Sequence, residues 1–181
     1  MERMNKREEV LEAIARIIER DGLTTVTLDA VAAATGMTRA GLLYHFPSRE
    51  ALIQATHEHL TELWEKSLIA SAGKPSSEAS DNERHSAYIS VCTKAARRVE
   101  LLLMLESSDS RELGQLWQQV IDRWAPAAPQ SDDAQDLDKF IARLAADGLW
   151  IHEALSTNSI NTDLRKRVID RLTQLVNGDL A

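Results

Sequence analysis

Residues 27–46 read TLDAVAAATGMTRAGLLYHF and are followed by PSREAL at 47–52. Two short helical stretches, each opened by a threonine where an N-cap belongs, flank Gly36. Glycine tolerates the backbone angles that a tight turn between two helices needs. The alanines of the first stretch also allow the second stretch to lie close against it. Residues 27–46 are therefore predicted to form a helix-turn-helix.

The second helix of this motif is predicted to present a polar face to solvent, while Leu42, Leu43 and Phe46 turn inward. A hydroxyl, a guanidinium, a phenol and an imidazole on one face suit the major groove of DNA. Arg39 can bond to guanine, and a methyl group of Ala40 or Thr38 can meet that of thymine. Thr27 and Arg49, near helix N-termini, would fix the register on the phosphates. The predicted DNA-binding residues are Thr27, Thr38, Arg39, Ala40, Tyr44, His45 and Arg49.

The segment GLLYHFPSREAL at 41–52 resembles the DNA-binding domain of TetR-type repressors. The resemblance is strong over residues 5–60 and continues more weakly to LAADGLWIHE at 144–153, which is similar to the penultimate helix of many members. The chain looks closest to the multidrug-binding branch typified by CgmR. The resemblance implies a homodimeric repressor that leaves a palindromic operator in double-stranded DNA when a small molecule binds its C-terminal domain. It also implies phosphate contacts at Tyr44 and at His45 or its neighbours.

Length and patterning predict an all-α protein of two domains. A chain of 181 residues allows a small DNA-binding domain, expected at 4–64, and a larger domain for effector binding and dimerisation, expected at 65–181. Apolar residues recur at helical spacing throughout, and no convincing strand is found. No apolar run is long enough to span a membrane, and no signal peptide is recognised. With a single cysteine, Cys92, the expected location is the reducing cytoplasm.

Charge gives little support to DNA binding. The net charge is −7, and residues 1–50 carry seven Lys and Arg against eight Asp and Glu. Because phosphates are felt only within roughly 8–10 Å at cellular salt, the local placement of charges matters more than their sum. We therefore expect modest non-specific affinity, with specificity supplied by geometry and dimerisation.

The penultimate helix carries two apolar faces. Bulky residues from Leu137 to Leu155 form one, which would suffice for packing inside a monomer. The second, built of small residues, predicts close contact with another copy of the chain through a four-helix interface, although a thick monomer core would give the same pattern. The predicted interface residues are Ala142, Ala146, Leu149, Leu164, Val168 and Leu172.

The effector site is predicted from aromatic and acidic residues in helical stretches, because pockets in helical bundles are mostly apolar. Glu100, Glu106 and Asp147 could answer a cation, so an aromatic lipophilic cation is the expected effector. The same residues could equally be core and solvated surface. The predicted effector-binding residues are Trp64, Glu100, Met104, Trp117, Trp124 and Asp147.

We expect no catalytic site, metal site or cofactor. The histidines lack the spacing of zinc ligands, and neither a glycine-rich phosphate loop nor a nucleophile elbow is present. The predicted function is a repressor of a transport, multidrug efflux or detoxification gene. An activator or global regulator without a small-molecule effector is the main alternative. A helical protein that sequesters a ligand or a metal is the contrasting class.

Overall fold

The computed structural model describes residues 5–94, 97–156 and 160–179. Within these ranges all regular structure is helical, which confirms the all-α prediction, and short 3₁₀ turns occupy Leu23–Thr25 and Ser107–Asp109. The predicted domain start at residue 4 lies outside the described residues. The α-helices are α1 (Lys6–Asp21), α2 (Leu28–Thr35), α3 (Arg39–His45), α4 (Arg49–Ala72), α5 (Asp81–Lys94), α6 (Arg98–Glu106), α7 (Arg111–Trp124), α8 (Ala134–Leu155) and α9 (Thr162–Asn177).

The chain divides into two compact units. The first comprises Met1–Leu63 and Arg98–Trp117, and the second comprises Trp64–Arg97 and Gln118–Ala181. The sequence-based division near residue 64 assigned all of 98–117 to the C-terminal domain, whereas the structure packs this stretch with the first unit. Residues 98–117 belong to the first unit because they contact segments that are distant from them in the sequence. One of these contacts is the 3.0 Å hydrogen bond from the Val99 amide to the Glu19 carboxylate.

Local signals set the helix ends of the first unit. Asn5 and Glu8 form a reciprocal capping box at the start of α1, and Gly22 ends that helix with a φ of 85°. As predicted, the Thr27 and Thr38 side chains cap α2 and α3. Each accepts a hydrogen bond from the backbone amide of the third residue of its helix. Gly36 adopts the left-handed conformation between the two helices, with a φ of 66°.

A buried polar cluster joins three helices of the first unit. The fully buried His57 of α4 accepts a 2.9 Å hydrogen bond at Nδ1 from the indole N–H of Trp117. Its Nε2 lies 3.1 Å from Glu106 Oε2, at the end of α6. Since Trp117 can only donate, Nδ1 must carry no proton, and the ring donates to Glu106 from Nε2. Burial lowers the pKa of His57, although Glu106 partly opposes the change.

The second unit is built around α8, which packs against α5 and α9. The face of small residues is buried and the face of bulky residues is exposed, which is the reverse of the prediction. Five bulky residues are 42–62% exposed, whereas Ala142 and Ala146 are fully buried and Leu149 is nearly so. Small side chains let α5 and α9 approach α8 closely, which is why this face covers the core. The exposed residues are Leu137, Ile141, Leu144, Ile151 and Leu155.

The assignment of Ala142, Ala146 and Leu149 to an interface between subunits is therefore wrong. Leu172 of α9 is mostly buried, but it lines a surface groove with Leu164 and Val168, so its assignment to the interface stays a prediction. Leu164 is exposed and Val168 is half-buried, so these two stay available for contact with another chain.

Candidate nucleic-acid interface

The outer face of α3 is polar and open to solvent. Thr38, Arg39, Ala40, Tyr44 and His45 are all exposed, while Leu42 and Phe46 are buried beneath them. Leu43 was expected to turn inward, but 37% of its surface is exposed. It lies at the margin of the helix contact, because seven residues form barely two turns and only one row of side chains faces the core.

Tyr44 is the most prominent side chain of this face. Its ring meets that of His45 edge-on with centroids 5.2 Å apart, yet 87% of the residue is exposed. With this exposure, the Tyr44 ring is not packed on the surface of its own domain. Below it, the guanidinium of Arg7 lies 5.3 Å from the centroid of the buried Phe46 ring and ties α1 to the end of α3.

The structure places the two arginines of the predicted DNA-binding set very differently. Arg39 is exposed, and its Nη1 donates to both carboxylate oxygens of Asp29, at 2.9 and 3.1 Å. Arg49 is half-buried, and its guanidinium donates to the carbonyls of Val26 and Leu23 at 2.7 and 3.2 Å. Arg49 therefore fastens the turn before α2 onto the start of α4. Its role on phosphate stays a prediction.

Sequence reasoning missed Asp29 and misjudged where Arg49 is held. Asp29 lies ten positions from Arg39, and Arg49 lies more than twenty positions from its carbonyl partners. Neither separation has a helical period, so no pattern along the chain indicates these pairings. A signal for Asp29 was present only in its position in the first turn of α2, next to the helix that carries Arg39.

The six predicted effector-binding residues are divided between the two units. Glu100, Met104 and Trp117 belong to the first unit, where Glu100 is buried and Trp117 donates its N–H to His57. Trp64, Trp124 and Asp147 belong to the second unit. The six residues, predicted to form one effector site, therefore belong to two different units.

Two of the predicted residues meet a common partner in the second unit. The Trp64 ring lies 6.0 Å from the ring of Tyr88, and the Tyr88 hydroxyl donates to Asp147 at 2.8 Å. Arg143 Nε lies 3.6 Å from the same carboxylate. Burial raises the pKa of Asp147, and the hydrogen bond from Tyr88 opposes that rise. Trp64, Tyr88 and Asp147 thus form an aromatic pair with an acidic end.

Trp124 has a structural place in the same unit. It is fully buried, and its indole N–H donates to Glu65 at 3.2 Å. Arg123 holds this carboxylate with two hydrogen bonds of 2.8 and 2.7 Å. These contacts fix the end of α7 and make Trp124 a core residue of the unit.

A polar cleft of about 390 Å³ opens elsewhere in the second unit, lined by His85, Arg84, Lys139 and the loop that follows α7. The Nδ1 atom of His85 is buried, and no described residue forms a hydrogen bond with it. Burial lowers the pKa of His85 to about 4, so the ring is neutral near pH 7. None of the six predicted effector-binding residues lines this cleft.

In the described part of the chain, no group of three or more His, Cys, Asp or Glu side chains is placed to hold a metal ion. In the same ranges no helix combines the length and apolar character needed to cross a bilayer.

Comparison with known proteins connects this geometry to a family. Residues 10–56 match the family described as bacterial regulatory proteins, tetR family, and residues 82–177 match the tetracyclin repressor-like C-terminal domain. Over 67 residues the chain is 39% identical to the nucleoid occlusion factor SlmA of Sodalis glossinidius (strain morsitans). This matched segment covers 36% of this chain and 32% of that relative. The match thus spans about a third of the curated relative's length.

Solved structures share the fold over nearly the whole chain. A transcriptional regulator from Saccharomonospora viridis in complex with choline is 21% identical, with a TM-score of 0.66 and coverage of 95% of this chain and 93% of that one. The multidrug binding protein EbrR complexed with malachite green is 16% identical, with a TM-score of 0.61 and coverage of 93% and 98%. At these identities the likeness concerns the fold.

Proposed function

Because the chain belongs to the TetR family of bacterial regulatory proteins, it is a DNA-binding transcriptional regulator and not an enzyme, and we propose that it acts as a ligand-released repressor. The contrasting class, a protein that only sequesters a ligand or a metal, is set aside by this membership. We further propose that it works in the cytoplasm, where bacterial DNA lies, on a gene for transport, multidrug efflux or detoxification.

The observation that carries the DNA-binding role is the outer face of α3. Arg39 and Tyr44 stand exposed on a helix whose inner side is anchored by Leu42 and Phe46. A guanidinium can donate two hydrogen bonds to guanine, and a phenol can donate to a phosphate oxygen. Arg39 is proposed to read a base, while Tyr44, His45 and Thr38 position the helix. In this assignment Ala40 contacts a thymine methyl, and Thr27 and Arg49 lie beside the backbone.

The DNA-binding role is tested by selecting bound sequences from a pool of random DNA duplexes. The wild-type protein should enrich a palindrome whose half-sites lie roughly one turn of DNA apart, about 34–36 Å. Arg39→Ala should cost roughly 1–3 kcal/mol on that palindrome and relax preference at one base position in each half-site. Enrichment of the same sequence by the variant, with unchanged affinity, would mean that α3 has been misassigned as the reading helix.

The dimer is proposed to form through the outward face of α8 together with α9. Leu144, Ile151 and Leu155 expose bulky apolar surface on α8, and Leu164 exposes it on α9. Exposed bulky apolar side chains on neighbouring helices are typical of an interface, and a second copy of the same face would cover them. Two linked reading helices then bind a palindrome far more tightly than one.

The effector is proposed to bind in the second unit near Trp64, Tyr88 and Asp147. An aromatic pair next to a carboxylate favours a ligand with positive charge and a flat apolar body. Two of the fold relatives carry choline and malachite green, which are both organic cations. The helix α4 belongs to the first unit up to Leu63 and to the second from Trp64, so displacement of Trp64 would act on the helix that also carries His57.

A second candidate is a global regulator of the chromosome that has no small-molecule effector. The 39% identity to a nucleoid occlusion factor over 67 residues favours this alternative. The two candidates differ in the number and placement of binding sites. A ligand-released repressor has few sites close to the genes it controls, whereas a chromosome-wide factor has many dispersed sites.

A further inference from the structure

The contact between Arg39 and Asp29 differs from three other arginine–carboxylate pairs among the described residues. In the pairs Arg20–Asp21, Arg123–Glu65 and Arg165–Glu153, the carboxylate is bound by Nε and Nη2. In the Arg39 pair, both oxygens of Asp29 are bound by Nη1 alone. The Nε–Nη2 edge of Arg39 makes no hydrogen bond to any described residue.

The edge that stays open is one that can bind a guanine. Guanine presents its O6 and N7 acceptors side by side in the major groove, and an arginine satisfies both only with two neighbouring N–H donors. Nε and Nη2 form such a pair, since they lie on the same side of the planar guanidinium. Asp29 can therefore keep its bond to Nη1 while Arg39 binds the base.

Asp29 also affects what else Arg39 can do. Both side chains are open to water, at 59% for Arg39 and 74% for Asp29, so their attraction is modest but their charges face the same solvent as incoming DNA. A carboxylate beside the guanidinium repels phosphate, which carries the same sign of charge. It repels a guanine base much less, because the base carries no net charge.

We propose that Asp29 is a specificity-determining residue that holds Arg39 for guanine and discourages its contact with phosphate. This inference rests on the proposed DNA-reading role of α3. Asp29 is a positioning residue, because it acts through Arg39 rather than on the DNA itself. Specificity then comes from an acidic residue on α2 as well as from the side chains of α3.

The test compares Asp29→Asn with the wild-type chain in a selection from random duplexes, followed by titration of the selected site and of its single-base variants. Asp29→Asn should lower the discrimination for guanine at the position read by Arg39 by about fivefold, the value of a modest ion pair. Binding to unrelated duplexes should rise by about threefold, because a negative charge near phosphate has been removed. Asp29→Glu keeps the charge and should retain most of the discrimination.

The matched control is Asp21→Asn, which also breaks an exposed arginine–aspartate pair in the first unit and changes the charge by the same amount. It should leave the discrimination at every base position as in the wild-type chain. In an Arg39→Ala background, Asp29→Asn should not change the discrimination any further, since the residue through which it acts is gone.

Three outcomes would overturn the inference, and they separate its failure from that of the proposed function. A wild-type chain that enriches no sequence would refute the DNA-reading role and this inference with it. If Arg39→Ala relaxes one position but Asp29→Asn leaves discrimination unchanged, α3 reads DNA without help from Asp29. If Asp29→Asn still alters discrimination in the Arg39→Ala background, Asp29 contacts a base directly and is not a positioning residue.

Discussion

Tyr44 is 87% exposed, so burial of its aromatic ring contributes little to the stability of the fold. Its hydroxyl makes no hydrogen bond to a described residue, so the group is available to a partner outside the chain. On the outer face of a helix-turn-helix, the abundant acceptor is a phosphate oxygen. The side chain therefore contributes little to stability, and its proposed role is in binding.

Tyr44→Phe should weaken all DNA targets alike, by about 0.5–1.5 kcal/mol, because a hydrogen bond to phosphate is lost and no base contact changes. Fluorescence anisotropy with the selected palindrome and with a scrambled duplex measures this directly. The melting temperature should not move, since the hydroxyl supports no contact within the described chain. A loss confined to one sequence would instead place Tyr44 on a base.

The residue scale also marks where sequence reasoning succeeds. The caps at Thr27 and Thr38 and the turn at Gly36 were predictable, because each depends on neighbours within three or four positions. The anchoring of Arg49 and the pairing of Arg39 with Asp29 were not, because they join segments whose approach is set by tertiary packing.

At the scale of an element, α8 shows how a correct pattern can receive the wrong assignment. The helical wheel identified two apolar faces, but hydrophobicity alone does not say which one its own chain covers. Packing density decides, because the alanine face lets α5 and α9 come near and the bulky face would hold them apart. The small residues therefore lie at the contact within the chain, and the exposed bulky face is the one proposed to form the dimer.

Leu144→Glu should convert the proposed dimer into monomers without loss of helix. Leu144 is 54% exposed, so a carboxylate there stays hydrated in the monomer but would be buried without a partner in the dimer. Light scattering gives the mass, and circular dichroism gives the helix content. Operator affinity should fall steeply, because the two half-sites are no longer linked.

Ala146→Glu is the contrasting variant on the same helix. Ala146 is fully buried within the chain, so the new carboxylate would disrupt the second unit itself. Its helix content and melting temperature should fall, whereas those of Leu144→Glu should not. A Leu144→Glu protein that stays dimeric at micromolar concentration would place the interface on another surface.

At the scale of the whole molecule, the fully buried His57 and the half-buried His85 link stability to pH. Burial lowers the pKa of His57, and it lowers that of His85 to about 4. In the unfolded chain each returns to about 6.5. As the pH falls below about 6.5, the unfolded chain therefore takes up protons that these histidines do not bind in the folded chain. Their contribution to the free energy of unfolding is complete above about pH 6.5 and decreases as the pH falls toward 4.

The melting temperature should therefore decrease from pH 7 to pH 5, a range in which most carboxylates remain ionised in both states. His85→Gln should flatten part of this decrease, because one of the two groups has been removed. The exposed His152 provides the control, and His152→Gln should leave the slope unchanged. A slope that is identical in all three proteins would show that the burial of His85 does not govern stability in this range.

The proposed repressor mechanism links effector binding to operator binding, because a ligand that releases DNA must bind the DNA-incompetent state more tightly. A planar lipophilic cation such as malachite green should raise the melting temperature by mass action and quench tryptophan emission at Trp64. By reciprocity, saturating operator should weaken cation binding by the same factor by which the cation weakens operator binding.

Asp147→Asn keeps an acceptor for Tyr88 but removes the charge, so cations should bind about tenfold more weakly while neutral aromatic compounds bind as before. Titration with cationic, neutral and anionic aromatic compounds, followed by fluorescence and by operator release, measures each of these effects. Release by anions alone would refute the cation assignment and leave the repressor role intact. Binding of a cation without any change in operator affinity would separate the ligand site from regulation.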